Sequence, residues 1–355
     1  MTHEEAWMAL LARPGTGSVL VQREVEKAGD VREAWRQWAH RHPAEARAAR
    51  ARVREQRDRT RRAGAHVVTV QDARYPKLLT HLNDPPPVLY ALGTWPSQKA
   101  WGRALAVVGT RSCTPQGASW ALQAGREWSE AGGTVVSGLA RGIDGCAHQG
   151  VLNGTSPQRQ VAVLPCSVEA IHPRIHRGLA EAIVEAGGLV VTEQPPGVQV
   201  ERWMFASRNR ILTGLAPSTV VIQSPARGGS LISARCARDQ NRDVFALWQR
   251  GMGAEWAGNR ALVADHVAHP VDSIDALWGA MKEDAESRSC HTGHVAAVPD
   301  GCREVWSMVD ARRAVSWREM LPRFRGRAAE LDRQLLTLEL QGWIRRLPGR
   351  SFVRN

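Results

Sequence analysis

Residues 104–148 read ALAVVGTRSCTPQGASWALQAGREWSEAGGTVVSGLARGIDGCAH, and this stretch decides the fold. An apolar run at 104–108 gives way to Gly109-Thr110-Arg111, and a second at 134–136 gives way to Ser137-Gly138. A segment long enough for a helix separates them. Short β-branched runs alternating with helix-length segments argue for a parallel sheet covered on both faces. Outward from this pair the pattern repeats at 161–164 (VAVL), 189–192 (LVVT), 219–222 (TVVI) and 244–247 (VFAL). The fold class is therefore expected to be α/β, with the sheet running to about residue 280.

In an open parallel sheet, ligands bind outside the carboxyl ends of the strands. Three of those ends carry related residues. The first run is followed by Gly109-Thr110-Arg111-Ser112, and the second by Ser137-Gly138-Leu139-Ala140-Arg141-Gly142-Ile143-Asp144. The fifth is followed by Arg227-Gly228-Gly229-Ser230, opening a helix. Glycine lets a backbone approach a phosphate, a helix N-terminus offers unpaired N–H donors, and arginine supplies a planar fork for phosphate oxygens. Glycines after strands also serve as plain turn residues, so one loop decides nothing; three on one sheet edge point to a phosphate-bearing ligand. The segment Arg202-Trp203-Met204-Phe205-Ala206-Ser207-Arg208-Asn209-Arg210 adds aromatics beside cations, which suits bases that stack and a backbone that is tracked. The opposing reading puts Phe205 in the core and pairs Arg208 and Arg210 with carboxylates of the domain.

Several chemistries lack their residues. There is no G-x-G-x-x-G, because Arg111 stands where the second glycine would be, and no G-x-x-x-x-G-K-[ST]. No carboxylate pair flanks the loops for two-metal hydrolysis. Asp144 and His148 stand four apart on an expected helix; a cap and a packed ring account for them better than catalysis does. No catalytic residue, metal or cofactor is expected.

The flanks differ from the centre. Residues 1–65 read as helical, with a Pro14-Gly15-Thr16-Gly17 turn, and the stretch from Arg47 to Arg62 carries eight arginines on one expected helix. A solvated face explains them, as does a secondary DNA-binding face. Residues 66–100, with an extended run at 67–70 and prolines 76, 85, 86 and 87, read as a strap laid on the sheet domain. Residues 281–300 read as a linker and 301–355 as a further module. There Ser316-x-x-Glu319 opens a helix, Leu331, Leu335 and Leu338 share one face, and 343–353 read as a hairpin. Helices followed by a small hairpin fit a winged helix.

The whole chain has 355 residues, 47 Lys+Arg against 35 Asp+Glu, and a net charge of +12. A strongly basic protein attracts polyanions, nucleic acid first. The 101–280 region carries 16 cations against 14 acids, so its basic character must be local to loops. No apolar run is long enough to span a bilayer, and the N-terminus has acids where a secretion signal needs cations, so no membrane association and a cytoplasmic location are expected. Six scattered cysteines do not make a disulfide scaffold. The irregular cluster Cys290, His291, His294 and Cys302 is a weak zinc pattern.

The ordered series Val107-Val108-Gly109-Thr110-Arg111, Ser137-Gly138-Leu139-Ala140-Arg141-Gly142-Ile143-Asp144, Phe205-x-x-Arg208-Asn209-Arg210 and Gly229-Ser230-Leu231-Ile232-Ser233-Ala234 resembles the DprA/Smf family of DNA-processing proteins of natural transformation. The run Leu335-Leu336-Thr337-Leu338 through Trp343 resembles that family's winged-helix tail. The resemblance implies an extended Rossmann-like domain at 66–280. It implies an N-terminal helical domain at 1–65 of the sterile-alpha-motif or helix-hairpin-helix type, and a winged helix at 301–355. It further implies a non-enzymatic mediator that binds and protects incoming single-stranded DNA and dimerises through its central domain. Such a mediator helps load RecA onto strands coated by single-strand-binding protein, with duplex DNA a further ligand of the flanks. DNA contacts are implied at Arg111, around Ser137-Gly138, in the loop before Phe205, at Asn209 and near Arg227. The chain departs from the family pattern at Ile171-His172-Pro173, where Tyr-Pro is usual. It departs also at Gln223, where an acid is usual, at Arg227, where lysine is usual, and after Leu247, where Pro-Gly is missing. Two other readings stay open: a nucleoside-monophosphate phosphoribohydrolase, whose Pro-Gly-Gly-x-Gly-Thr signature is absent, and a winged-helix regulator sensing a phosphorylated metabolite.

Overall fold

A computed structural model describes residues 1–281, 298–299, 301–310, 314–340, 343–347 and 351–354. The chain forms two compact units, Met1–Arg238 with Arg242–Pro270, and Asp239–Asn241 with Val271–Asn355.

The larger unit is built on one sheet. Its strands are β1 (His66–Thr69), β2 (Val88–Gly93), β3 (Ala104–Val108), β4 (Thr134–Ser137), β5 (Gln160–Val163), β6 (Leu189–Thr192), β7 (Ser218–Val221) and β8 (Asp243–Leu247), with a short β9 (His269–Val271) at the far edge. The order is β1-β2-β6-β5-β4-β3-β7-β8-β9. Strands β3 to β8 pair in parallel, whereas β2 lies antiparallel to β6 and β1 antiparallel to β2. All six apolar runs became parallel strands. Ala106, Val107, Val136, Val161, Val190 and Val220 are fully buried, as expected where helices cover both faces. Each fully buried valine contributes about 1.5–3 kcal/mol relative to exposure. The expected strap at 66–100 is more than a strap: it supplies β1 and β2 and extends the sheet by two antiparallel strands.

The order reverses at β3, whose neighbours are β4 and β7. That is a topological switch point, where the connections leave in opposite directions and a crevice opens beyond the strand ends. A short helix α5 (Gln98–Trp101) precedes β3, and helices α6 (Pro115–Glu130), α7 (Ile143–Leu152), α9 (Arg202–Gly214) and α10 (Gly229–Asp239) begin around the switch point. Helix α8 (Arg177–Glu185) connects β5 to β6.

Residues 1–65 form four helices, α1 (His3–Leu11), α2 (Ser18–Ala28), α3 (Val31–Arg41) and α4 (Pro43–Arg62). Thr2 and Glu5 form a capping box on α1, and Asp30 caps α3 through the N–H groups of Arg32 and Glu33. Trp7, Met8, Leu10, Val21, Trp35 and Val53 share a core with Val88 and Tyr90 of β2, so these helices cover the antiparallel edge of the sheet.

The smaller unit has helices Arg303–Met308, Trp317–Met320 and Ala328–Leu340, and a three-stranded antiparallel sheet ordered Val315–Ser316, Ser351–Arg354, Ile344–Leu347. Ser316 accepts the Glu319 N–H at 3.2 Å. Leu331, Leu335 and Leu338 are buried against Val305, Met320, Ile344 and Phe352. Cys290, His291 and His294 lie outside the described residues. Cys302 belongs to this small core.

Candidate functional site

The crevice at the switch point is a cleft of about 480 Å³. Gly109, Thr110 and Arg111 enter it from the end of β3, and Arg227, Gly228, Gly229 and Ser230 from the end of β7 and the start of α10. Arg202, Arg208 and Asn209 reach it from α9. A second hollow of about 380 Å³ adjoins it and shares Arg111, Ala140, Phe205 and Arg208. Gly138, Arg141, His172, Arg174 and Ile175 line this second hollow. Between the two stands a ridge: the Arg111 guanidinium lies 5.2 Å from the Phe205 ring centroid, and the His172 ring meets Phe205 edge-on at 5.4 Å. A cation over an aromatic face keeps its N–H donors for an anion, while the hollows either side accept planar rings.

The arginines divide into two kinds. Arg111, Arg141, Arg202 and Arg227 are exposed. Arg208 is buried, 6% exposed, and donates to the Gly138 carbonyl at 2.7 Å and to the Val163 carbonyl. Asp144, also buried, accepts N–H groups of Gly138 and Ala140; burial pushes its carboxyl up while the Arg208 charge opposes the rise. Burial likewise pulls Arg208 down, with Asp144 opposing. The pair thus braces the turn after β4. His148, fully buried, bonds Gln160 Oε1 of β5 at 2.9 Å, and burial pushes it down to about 4. It holds α7 to the sheet from inside the protein.

The glycines divide as well. A Cβ on Gly109 would lie 2.4 Å from Ile143 Cγ1, and one on Gly138 would lie 2.1 Å from Arg208 Nη1. Gly142 adopts φ +74°, and a Cβ there would lie 2.3 Å from the Thr110 carbonyl oxygen. These three are glycine because the protein packs against them. At Gly229 nothing lies within 4 Å, and Gly228 has only ordinary contacts, so the α10 start is the glycine segment open to an approaching ligand.

Four of the expected residues line neither hollow: Gly142, which packs under the Thr110 carbonyl, and Ser137, Arg210 and Trp203. Ser137 is fully buried, and its hydroxyl donates to the Val107 carbonyl at 2.7 Å, tying β4 to β3. Arg210 points to the other side of α9, where it pairs with Asp84 at 2.9 Å and with Glu193. That is the carboxylate pairing weighed for Arg210 in the sequence. Trp203, 56% exposed, donates to Glu201 at 2.7 Å and lines a separate hollow with Pro195 and Ser207. Ser230 is buried, bonding Ser224 at 2.9 Å, although it borders the cleft.

Sequence reasoning missed Arg174 and Ile175. They begin ten residues beyond the third apolar run, past Pro165-Cys166 with no glycine to draw the eye, whereas Arg111 follows the first by three. Gln223 has a structural part at the rim. Its side chain accepts the Thr114 N–H at 2.9 Å and its carbonyl accepts the Thr110 N–H at 2.8 Å, so it closes the loop that presents Arg111.

Three comparisons bear on this geometry. The family model of DNA recombination-mediator protein A matches residues 66–282. Protein Smf of Escherichia coli is 33% identical over 302 residues, which is 81% of this chain and 77% of that protein. Protein Smf of Synechocystis is 40% identical over 182 residues, 51% of this chain and 45% of its own, so this chain spans about half the length of that relative. Among solved structures, DNA processing protein A of Streptococcus pneumoniae superposes with a TM-score of 0.63 at 26% identity, over 79% of this chain and 98% of that one. The Helicobacter pylori protein of the same name, described for its single-stranded DNA binding mode, superposes with a TM-score of 0.54 at 26% identity, over 62% of this chain and 98% of that one.

Proposed function

The chain belongs to the DNA recombination-mediator protein A family, and from that premise we propose that it binds single-stranded DNA in the cleft at the switch point. The observation that carries this reading is the Arg111–Phe205 ridge between two hollows, with Arg141, Arg202 and Arg227 exposed around it. Phosphates engage the exposed arginines and the open start of α10, and unpaired bases rest against Phe205 and in the hollows. A duplex keeps its bases stacked inward and cannot use the ridge in this way.

On this reading the protein shields incoming strands and helps load RecA onto strands coated by single-strand-binding protein, during natural transformation and repair in the cytoplasm. It acts as a homodimer through the sheet domain and catalyses no bond cleavage. Residues 1–65 serve as a sterile-alpha-motif-like module, and 301–355 as a winged helix that adds contacts to duplex DNA. Among the described residues no helix is long and apolar enough to cross a membrane, and no group of three or more His, Cys, Asp or Glu is placed to hold a metal.

The test is a titration of the full chain with a fluorescent oligothymidylate and with a duplex of equal length, at two salt concentrations, with light scattering for stoichiometry. Tighter binding of the single strand at both salts is expected. A duplex preference, or release of free base from added nucleoside monophosphates, would overturn the reading.

A further inference from the structure

The arginine-rich helix α4 has no part in the site described so far, yet the surface leads to it. The hollow beside the ridge shares His172 and Arg174 with a third and larger one, of about 1030 Å³. Its apolar lining includes Leu92, Val168, Ile171 and Val200, and it reaches Ala63, the residue that ends α4. The path is fastened along its length. Glu169 accepts the Arg59 guanidinium of α4 and, at 2.9 Å, the N–H of Gly197 in the loop that leads into α9. The lining carboxylates are largely engaged: Glu169 with Arg59, and Glu181 with Arg177 at 3.0 Å, leaving Glu185 without an ion pair among the described residues.

Beyond this hollow cations outnumber carboxylates, though Asp58 stands within the cationic face of α4. Residues 1–65 hold 14 Lys and Arg against nine carboxylates. On α4, Arg47, Arg54 and Arg61 recur every seven residues, two helical turns, and therefore share one outward stripe, with Arg62 beside it. Arg61 pairs with Asp58, but Arg47, Arg54 and Arg62 are exposed and form no ion pair among the described residues. From Arg47 to Arg62 the stripe spans roughly 22 Å.

We propose that single-stranded DNA leaving the Arg111–Phe205 ridge crosses the third hollow, bases against its apolar floor, and continues along the exposed arginines of α4. The helical segment is then a second phosphate-binding stretch of one continuous track. The occupant is a polynucleotide because the surface is cationic at both ends and apolar between, and because it is continuous with the cleft through His172 and Arg174. This inference rests on the proposed function.

The experiment compares the full-length protein with an Arg47→Gln/Arg54→Gln/Arg62→Gln variant, on oligothymidylates of about six and about 20 nucleotides, across a salt series. All three positions are exposed, and circular dichroism checks the fold. On the long strand the variant should bind several-fold more weakly, with a log–log salt slope shallower by about 2, since each lost phosphate contact removes about 0.7. On the short strand it should match the unaltered protein. Equal slopes and affinities on the long strand overturn the track, as does an equal loss on both lengths. An Arg111→Ala variant separates the two ideas. If it loses both strands while the triple variant loses neither, only the track fails; if it loses neither, the cleft reading itself fails and the track with it.

Discussion

Arg111 and Arg208 are the same residue type bordering the same cleft, and they should behave as opposites when removed. Arg111 is exposed and leans on Phe205, so Arg111→Ala deletes an outward charge without uncovering a buried one. Its loss should cost about 1.5–3 kcal/mol of single-strand affinity, the worth of a charge-assisted bond, with little change in urea midpoint. Arg208 is buried, holds two carbonyls and faces Asp144. Arg208→Ala leaves those carbonyls unpaired and a buried carboxyl without its countercharge, so about 3–5 kcal/mol of stability should go. Paired urea melts and anisotropy titrations would read both. Unchanged stability in the Arg208 variant would show that the turn after β4 does not depend on it.

At the scale of elements, α7 carries a pH-dependent load. His148 is pinned to β5 and its ring is pushed down to about 4, against 6.5 for an unperturbed histidine. The unfolded chain therefore takes up a proton at a pH where the fold refuses it. Stability is whole above about pH 6.5, falls as the pH drops, and levels off below about 4. Between pH 7.5 and 5 the loss from this one group is about 2 kcal/mol. His148→Gln should remove that share of the acid limb in urea melts, and an acid limb identical in both proteins would rule the assignment out. The strands and the rim of the site were legible in the sequence because each depends on local chemistry. Runs such as 134–136 and 161–164 cannot hide what they are, and strand ends in a parallel sheet have a fixed role. What stayed hidden depends on direction and on contacts distant in sequence. Nothing in Arg208-Asn209-Arg210 says that one guanidinium turns inward to Gly138 and the other backward to Asp84 and Glu193. Gly109 and Gly138 read like phosphate glycines, yet Ile143 and Arg208 require them. The strand β2 escaped because VLYALG sits behind three prolines and does not alternate.

For the whole molecule, the distribution of charge sets how binding responds to salt. The sheet region is nearly neutral, so its attraction for a strand comes from a few arginines at the cleft rather than from a general field. Four exposed arginines belong to the cleft and its neighbouring hollow alone, Arg111, Arg141, Arg202 and Arg227, whereas Arg174, exposed as well, is shared with the third hollow. If each of the four meets one phosphate, the log–log slope on a strand short enough to fill only the cleft is about −3, since a single strand releases about 0.7 counterion per phosphate neutralised. Raising monovalent salt four-fold should then weaken that complex roughly 50-fold. A slope near zero would mean that stacking on Phe205 holds the strand almost alone. A slope far steeper than −3 on the same short strand would mean that cations outside the cleft reach it, as diffuse attraction to a +12 chain requires and a localised grip does not. The measurement separates these because counterion release counts phosphates met, whereas base stacking is nearly indifferent to salt.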